Sequence, residues 1–421
     1  MDTLATIIIA QAREAKEASR LVRAFSTDIK NNALNAMADA LVSEKAHILS
    51  ANQKDIAAFA VKRPDASAAL KNRLVLTEQK IEAMARGLHE MANAPDPVGE
   101  IVSTTLRPNG LQLEKTRIPI GVLCCIYESR PNVTVDIAGL CLKSGNACIL
   151  RGGAESMESN KALVKVLLRA AHVAGVNTNF VQLITVTDHA AVPLLAGLDQ
   201  YIDLIIPRGG EALIDAVTAH AKVPVLKHRK GVTHLFVDAS ANVEKAIAII
   251  HNAKVSNPSA CNSLEKALIH KDCAARVVPA LIAKLKESGV EVRGCARTQE
   301  LAPDIILATE ADWSAEYLDL VIAIKIVDSF EDAVAHINHY STGLADGIIT
   351  EDQNAAQRFT QIVDSAAVYV NTSTRFTDGA EFGLGGEIGI NTTHLHGMGP
   401  MGIEELTVTK YVVRGDGQIR V

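Results

Sequence analysis

Apolar positions in residues 4–95 recur at helical spacing: Leu21, Ala24 and Phe25, then Leu34, Met37, Ala38 and Leu41. Thr77 reads as the N-cap of a helix running to about Met91, and Pro95 and Pro97 stop it. The period then changes. Residues 103–117 alternate around Pro108-Asn109-Gly110, and residues 406–421 alternate as well, so each stretch predicts a two-stranded ribbon. An isolated ribbon is marginal in water, so these two are expected to support each other in one sheet or across a subunit interface.

From Gly121 onward, short apolar runs alternate with helical stretches. Strands are predicted at 122–127, 147–150, 181–186 and 204–207, with helices at about 133–144, 157–174 and 209–220. A second series places strands at 233–238, 266–270, 320–327, 347–350 and 368–371. Its helices fall near 242–252, 273–288, 331–338 and 352–363. Fully apolar strands alternating with helices are the pattern of parallel, doubly wound sheets. Two α/β units in series imply a cleft, a common place for a ligand.

Composition narrows the function. At 421 residues the chain exceeds a single core, and 48% hydrophobic content is enough to fill two or three. A net charge of −6, with Lys and Arg dispersed, gives no footprint for nucleic acid. No apolar run approaches a membrane span, and the first residues lack a signal-peptide pattern. Seven cysteines without metal-type spacing suit a reducing cytoplasm better than a disulfide framework or a zinc site. Cys124, Cys125, Cys141 and Cys148 lie in apolar runs, whereas Cys273 and Cys295 have more polar neighbours.

The candidate chemistry gathers around K-V-S-N-P-S-A-C-N-S-L-E (254–265). Pro258 breaks the preceding helix, which leaves Cys261 on a turn ahead of a strand, where backbone N–H groups can stabilise a thiolate. L-R-G-G-A-E-S (150–156) and P-R-G-G-E (207–211) each follow a strand and precede a helix. Each offers glycine-permitted backbone approach, a helix N-terminus and an arginine, Arg151 or Arg208, for an anion. With Gly209 and Gly210 they suggest a dinucleotide, although neither is a complete G-x-G-x-x-G. The glycine-dense stretch 375–390 reads as a connector or as a loop closing over the cleft, with Arg375 near an acidic substrate.

These residues carry a resemblance. The strings E-S-R-P-N-V-T-V-D (128–136), C-L-K-S-G-N-A (141–147), the Cys261 segment, 371–389 and G-P-M-G-I-E-E-L (399–406) closely resemble the gamma-glutamyl phosphate reductases, a branch of the aldehyde dehydrogenase superfamily. The resemblance covers nearly the whole length. It implies an aldehyde dehydrogenase-like α/β fold of two doubly wound domains and an oligomerisation β-ribbon. A cofactor domain is expected at 1–102, 118–232 and 366–405, a catalytic domain at 233–365, and the ribbon at 103–117 and 406–421. The implied reaction is NADPH-dependent reduction of L-glutamate 5-phosphate to L-glutamate 5-semialdehyde in proline biosynthesis, with phosphate released, by a homodimer or larger homo-oligomer. Cys261 matches the nucleophile. Arg151 and Glu316 match positions that contact the cofactor ribose, and Asn132 is the candidate side-chain oxyanion donor. Lys143 and Arg208 are further cofactor candidates; Arg130, Asn262 and Arg375 are substrate candidates. Two departures stand out. S-N-P (256–258) replaces the usual Q-R-P, and L-A-D (344–346) replaces a His-containing string. The basic run K-H-R-K (227–230) stands where hydrolytic relatives carry a general-base glutamate, which favours phosphate over water as the partner of the thioester. Two alternatives stay open: an aldehyde dehydrogenase whose thioester goes to water or coenzyme A, and a non-catalytic dinucleotide-binding protein.

Overall fold

The computed structural model describes residues 3–66, 68–227 and 230–420. The chain forms two compact units, Met1–Lys227 with Gly383–Gly389 and Met401–Val421, and His228–Phe382 with Ile390–Pro400.

The first unit opens with the expected helices, Thr3–Val22, Thr27–Ser43, Lys45–Lys62, Ala68–Leu74 and Glu78–Asn93. Ser26 and Thr77 cap two of them by accepting the N–H groups of Ile29 and Lys80. Leu34, Met37 and Leu41 are buried as their spacing predicts, while Leu21 is exposed. A hairpin follows, of strands β1 (Ile101–Leu106) and β2 (Gln112–Pro119), turning at Gly110 with φ of 86°. The stretch expected to form a second ribbon supplies one strand, Thr407–Arg414, paired antiparallel to β2, and no further strand follows through residue 420. One three-stranded sheet therefore replaces two ribbons, with β2 in the centre.

The rest of this unit is a parallel sheet of β3 (Val122–Tyr127), β4 (Ala147–Arg151), β5 (Val181–Leu183) and β6 (Leu204–Arg208), in the order β5-β4-β3-β6. Every residue of β3 is buried, which explains why the strand is apolar throughout rather than alternating. Its core includes Ile388, Met401 and Ile403 from the far end of the chain. The glycine-dense stretch is part of this packing. A Cβ on Gly385 would stand 2.8 Å from Ile403, and Gly385 already has φ of 71°. Residues 383–389 are thus anchored in the first unit.

The second unit is a seven-stranded parallel sheet of β7 (Thr233–Val237), β8 (Leu264–His270), β9 (Glu291–Gly294), β10 (Ile306–Leu307), β11 (Val321–Val327), β12 (Ala345–Ile349) and β13 (Ala367–Val370). The order is β10-β9-β11-β8-β7-β12-β13. β13 pairs with β12, so residues 366–382 stay with this unit, and the boundary expected at 366 moves. Cys273, expected in polar surroundings, is fully buried in the helix Lys271–Glu287.

Candidate functional site

In the first unit the carboxyl ends of the strands gather the predicted dinucleotide residues. Arg151 ends β4 and Arg208 ends β6, on either side of β3, so their backbones lie about 10 Å apart. The Nε of each guanidinium is buried with no hydrogen-bond partner. Unsatisfied buried donors of this kind are rare and fit an anionic ligand. Arg151 is largely buried and spends Nη2 on the Thr187 carbonyl at 3.4 Å; Arg208 sits 3.8 Å from Glu387. Around Gly210, at the start of the helix Glu211–His220, a Cβ would meet nothing within 4 Å. The other helix start is closed. The Asp55 carboxylate accepts the N–H groups of Glu158 and Ser159 at 3.1 and 2.7 Å, so the protein's own carboxylate caps the helix Met157–Val173.

Lys143 does not belong to this cradle. It ends the helix Asn132–Lys143, which runs back to the amino ends of the strands, and it is fully buried. Its Nζ donates to Asn31 Oδ1 at 2.7 Å and the Ala92 carbonyl at 3.0 Å, tying the helical layers together. Asn132, at the other end of that helix, is exposed and donates to Asp136 at 3.2 Å. Burial pushes the Asp136 carboxyl up to about 6, against the pull of Asn132 and Arg208. Arg130 is half-buried just ahead of the helix, after Ser129 at φ of 24°.

In the second unit the candidate residues lie at the amino ends of four neighbouring strands, in the order β11-β8-β7-β12. Glu316 precedes β11, Cys261 precedes β8, Gly231 precedes β7 and Leu344 precedes β12. Cys261 is half-buried on a turn held by Ala260 N–H to the Asn257 carbonyl and Ser263 N–H to the Ala260 carbonyl. Glu316 Oε1 accepts the Gly231 N–H at 2.8 Å. Gly231 lies directly against the turn: a Cβ there would stand 1.9 Å from the Cys261 carbonyl oxygen and 3.0 Å from Glu316 Oε1. Leu344 is fully buried with Ala345, Tyr369 and Ile390, and Cys261 packs against this cluster. The replacement of a histidine string by leucine thus falls beside the cysteine itself.

Asn262 and Arg375 brace the turn rather than reach for a ligand. Asn262 is buried, its Nδ2 donating to the Thr377 carbonyl at 2.8 Å. Its Oδ1 accepts from Arg375 Nη1, and Arg375 Nε donates to Ser256 Oγ at 3.2 Å. Thr374 Oγ1 donates to the Asn262 carbonyl at 2.7 Å. Both side chains, expected at the substrate, are engaged with the turn in this structure, Asn262 through Thr377 and Arg375 and Arg375 through Asn262 and Ser256. Ser256, one of the departures noted in sequence, is a partner in it.

Of the other cysteines, Cys295 alone is also partly exposed. Burial would raise its thiol, but hydrogen bonds from Thr298 and from the N–H groups of Ile326, Thr298 and Arg297 bring it below the usual range. It follows β9, on the edge of the sheet formed by the carboxyl ends of the strands, whereas Cys261 lies at their amino ends. The depression of about 390 Å³ lined by Arg297, Lys325, Asp328, His336 and His339 lies at that edge too and contains none of Cys261, Gly231 or Glu316. Of the run 227–230, His228 and Arg229 lie outside the described residues. Among the described residues no cluster of His, Cys, Asp or Glu is arranged to hold a metal, and no helix is long and apolar enough to cross a membrane.

Gly231 escaped the sequence reading because a single glycine in a basic loop carries no pattern. Its only signal was its place one residue before an apolar strand.

Known proteins resemble this chain over nearly its whole length. The aldehyde dehydrogenase family profile matches residues 3–305 and 311–412. Gamma-glutamyl phosphate reductase of Caldanaerobacter subterraneus subsp. tengcongensis is 51% identical over 410 residues, covering 97% of this chain and 99% of that protein. The enzyme of that name from Halothermothrix orenii is 51% identical over 413 residues, covering 98% of each. The crystal structure of gamma-glutamyl phosphate reductase from Thermotoga maritima superposes with a TM-score of 0.96 at 43% identity, covering 98% of this chain and 100% of that one. An acetylating aldehyde dehydrogenase from Geobacillus thermoglucosidasius, 17% identical with a TM-score of 0.72, shares the fold. The chain belongs to the aldehyde dehydrogenase family and, within it, to the gamma-glutamyl phosphate reductases.

Proposed function

We propose that this chain reduces L-glutamate 5-phosphate to L-glutamate 5-semialdehyde with NADPH, releasing phosphate, through a thioester on Cys261, as the second step of proline biosynthesis from glutamate. The observation that carries the reading is the position of Cys261. It alone of the seven cysteines sits on a turn against the Glu316–Gly231 contact, in a chain whose full-length relatives bear the reductase name.

The Cys261 thiolate attacks the acyl carbon, the C–O bond to phosphate breaks, and the thioester forms without a strong acid because phosphate leaves readily. Backbone N–H groups of the 261–262 turn, with the Asn132 amide as the side-chain candidate, stabilise the oxyanion. NADPH, held by this chain, would supply the hydride that reduces the thioester to the oxidation level of the aldehyde. The C–S bond then breaks, which frees the semialdehyde and returns the thiolate. Arg151 and Arg208 are the residues that would hold the dinucleotide phosphates, and their buried Nε donors support that assignment. Arg130 is retained as a candidate for the substrate's carboxylate or phosphate.

Self-association is part of the reading. Ile101, Val102, Leu106, Tyr411 and Val413 expose apolar surface on the two outer strands of the three-stranded sheet, which a second copy of the chain would cover. The seven free thiols suit a reducing cytoplasm.

The reverse reaction tests the proposal. Glutamate semialdehyde and NADP⁺ should yield NADPH only when phosphate or arsenate is supplied. Steady NADPH formation in phosphate-free buffer, with glutamate as product, would show that water resolves the thioester and would favour a hydrolytic aldehyde dehydrogenase.

A further inference from the structure

Three charged side chains are fully buried beside the cysteine turn: Lys254, Glu265 and Lys266. Buried charges are costly, and ion pairs in a core are often no more stabilising than apolar side chains of the same volume. Their geometry points to another use. Lys254 Nζ lies 3.4 Å from Glu265 Oε1 and donates to the Asp319 carbonyl at 3.0 Å. Glu265 Oε2 accepts the Tyr317 N–H at 3.2 Å. Lys266 Nζ donates to the Ala315 carbonyl at 2.7 Å and stands 4.2 Å over the Tyr317 ring. Thus all three charged heads end on backbone groups of one five-residue segment, at alternate residues 315, 317 and 319.

The segment links the helix Glu310–Ser314 to β11, and Glu316 lies between the first two held groups. It also contains Leu318 at φ of 54°, a conformation a leucine does not adopt unaided. From the other side Tyr317 is fixed by its hydroxyl, which donates to Asp312 at 2.8 Å, and Asp312 pairs with Arg293 at 2.7 Å. The strand is adapted to the task. Thr233 pairs with Leu264 and His234 with Lys266, so Glu265 is the extra residue of a bulge, and Thr233 Oγ1 accepts its N–H at 3.2 Å. Bulges re-aim side chains in this way next to active sites.

We propose that Lys254, Glu265 and Lys266 are positioning residues for the reaction: together they fix the backbone of residues 315–319 so that Glu316 is held against Gly231 beside Cys261. The proposal rests on the reading of Cys261 and Glu316 given above. It adds that a carboxylate on an irregular segment acts at a defined place because a buried network holds the backbone on both sides of it.

A double-mutant cycle tests it. Lys266→Met, Glu265→Gln and Lys254→Met are each made alone and with Glu316→Ala. Two readouts are taken on folded protein: kcat/KM for phosphate-dependent semialdehyde oxidation, and NADPH affinity by nicotinamide fluorescence. Each single variant should lower kcat/KM at least tenfold and weaken NADPH binding at least fivefold. In the Glu316→Ala background each should cost less than a further twofold. If Lys266→Met gives no folded protein, the cycle is read from Glu265→Gln, which keeps the volume and an acceptor oxygen. Full effects persisting in the Glu316→Ala background, or folded single variants with wild-type constants, would overturn the proposal while leaving the reaction intact. Wild-type protein without the phosphate-dependent reaction would instead overturn the underlying reading, and the proposal with it.

Discussion

Replacing Gly231 by alanine isolates the contact on which the cysteine turn depends. The added Cβ would lie 1.9 Å from the Cys261 carbonyl oxygen and 2.8 Å from its carbon. Real Cβ atoms essentially never come within 3.0 Å of another heavy atom, so the two backbones must part by about 1.1 Å. Both sides resist the movement: Gly231 N–H is held by Glu316, and the turn is braced by Asn262, Thr374 and Arg375. Overpacking of this kind typically costs about 1–3 kcal/mol in stability. The larger effect is on chemistry, because displacing a reacting group by about 1 Å costs on the order of 10²-fold in rate, equivalent to about 2.7 kcal/mol of barrier. The assay is kcat/KM for semialdehyde oxidation in the presence of phosphate, with the iodoacetamide reaction of Cys261 followed in parallel. Gly87→Ala is the control. Gly87 lies in the helix Glu78–Asn93 with nothing within 4 Å of its would-be Cβ, so this change should leave the rate alone and add about 0.4–1 kcal/mol of stability. If folded Gly231→Ala keeps kcat/KM within threefold of wild type, the reasoning from close backbone approach to catalysis is wrong.

Three further outcomes are expected. Cys261→Ala should abolish turnover and leave dinucleotide binding nearly intact; activity within tenfold of wild type would instead point to another cysteine, with Cys295 the next to test. Arg151→Ala should lower kcat/KM for NADPH more than for NADH, and wild type should prefer NADPH, whereas equal wild-type values would remove the phosphate role from that arginine. His336 gives a pH dependence. Burial first, then the nearby His234 and Lys325, push its imidazole down to about 3, so the folded state refuses a proton that the unfolded chain takes up near pH 6.5. Its contribution to stability is complete above about pH 6.5 and is lost as pH falls from there toward 3. At pH 5 the loss is about 2 kcal/mol. Denaturant unfolding of wild type and His336→Gln at pH 7.5 and 5.0 should show that difference in wild type only.

The hydrophobic pattern made most of the fold legible. The fully apolar run at 122–127 could only be a strand covered on both faces, and the structure places β3 at those residues. The short β9, reading E-V-R-G, was invisible because four residues with one apolar side chain carry no period; it is a strand because β11 pairs with it. The turn that carries Cys261 was legible because Pro258 cannot continue the preceding helix. Lys143 was a cofactor candidate for its positive charge, and only partners from distant helices, Asn31 and Ala92, reveal it as a buried tie. The carboxylate that closes the helix start after β4, Asp55, belongs to a helix about a hundred residues earlier, so no local motif could announce it. The burial of Lys254, Glu265 and Lys266 was not legible in the sequence, since burial of a charge depends on what folds over it.

The division of the chain also bears on the order in which it can fold during synthesis. The first unit takes its last core residues, Met401, Ile403 and Leu406, and the strand Thr407–Arg414 from beyond the second unit. While the chain emerges from a ribosome, the second unit can complete its sheet through β13, but β2 still waits for its partner on one side. The earlier-made unit is thus the later one to close. A chain ending near residue 400 would carry a complete sheet in the second unit and an incomplete first unit, with the apolar edges of the hairpin open to chaperones or to another chain.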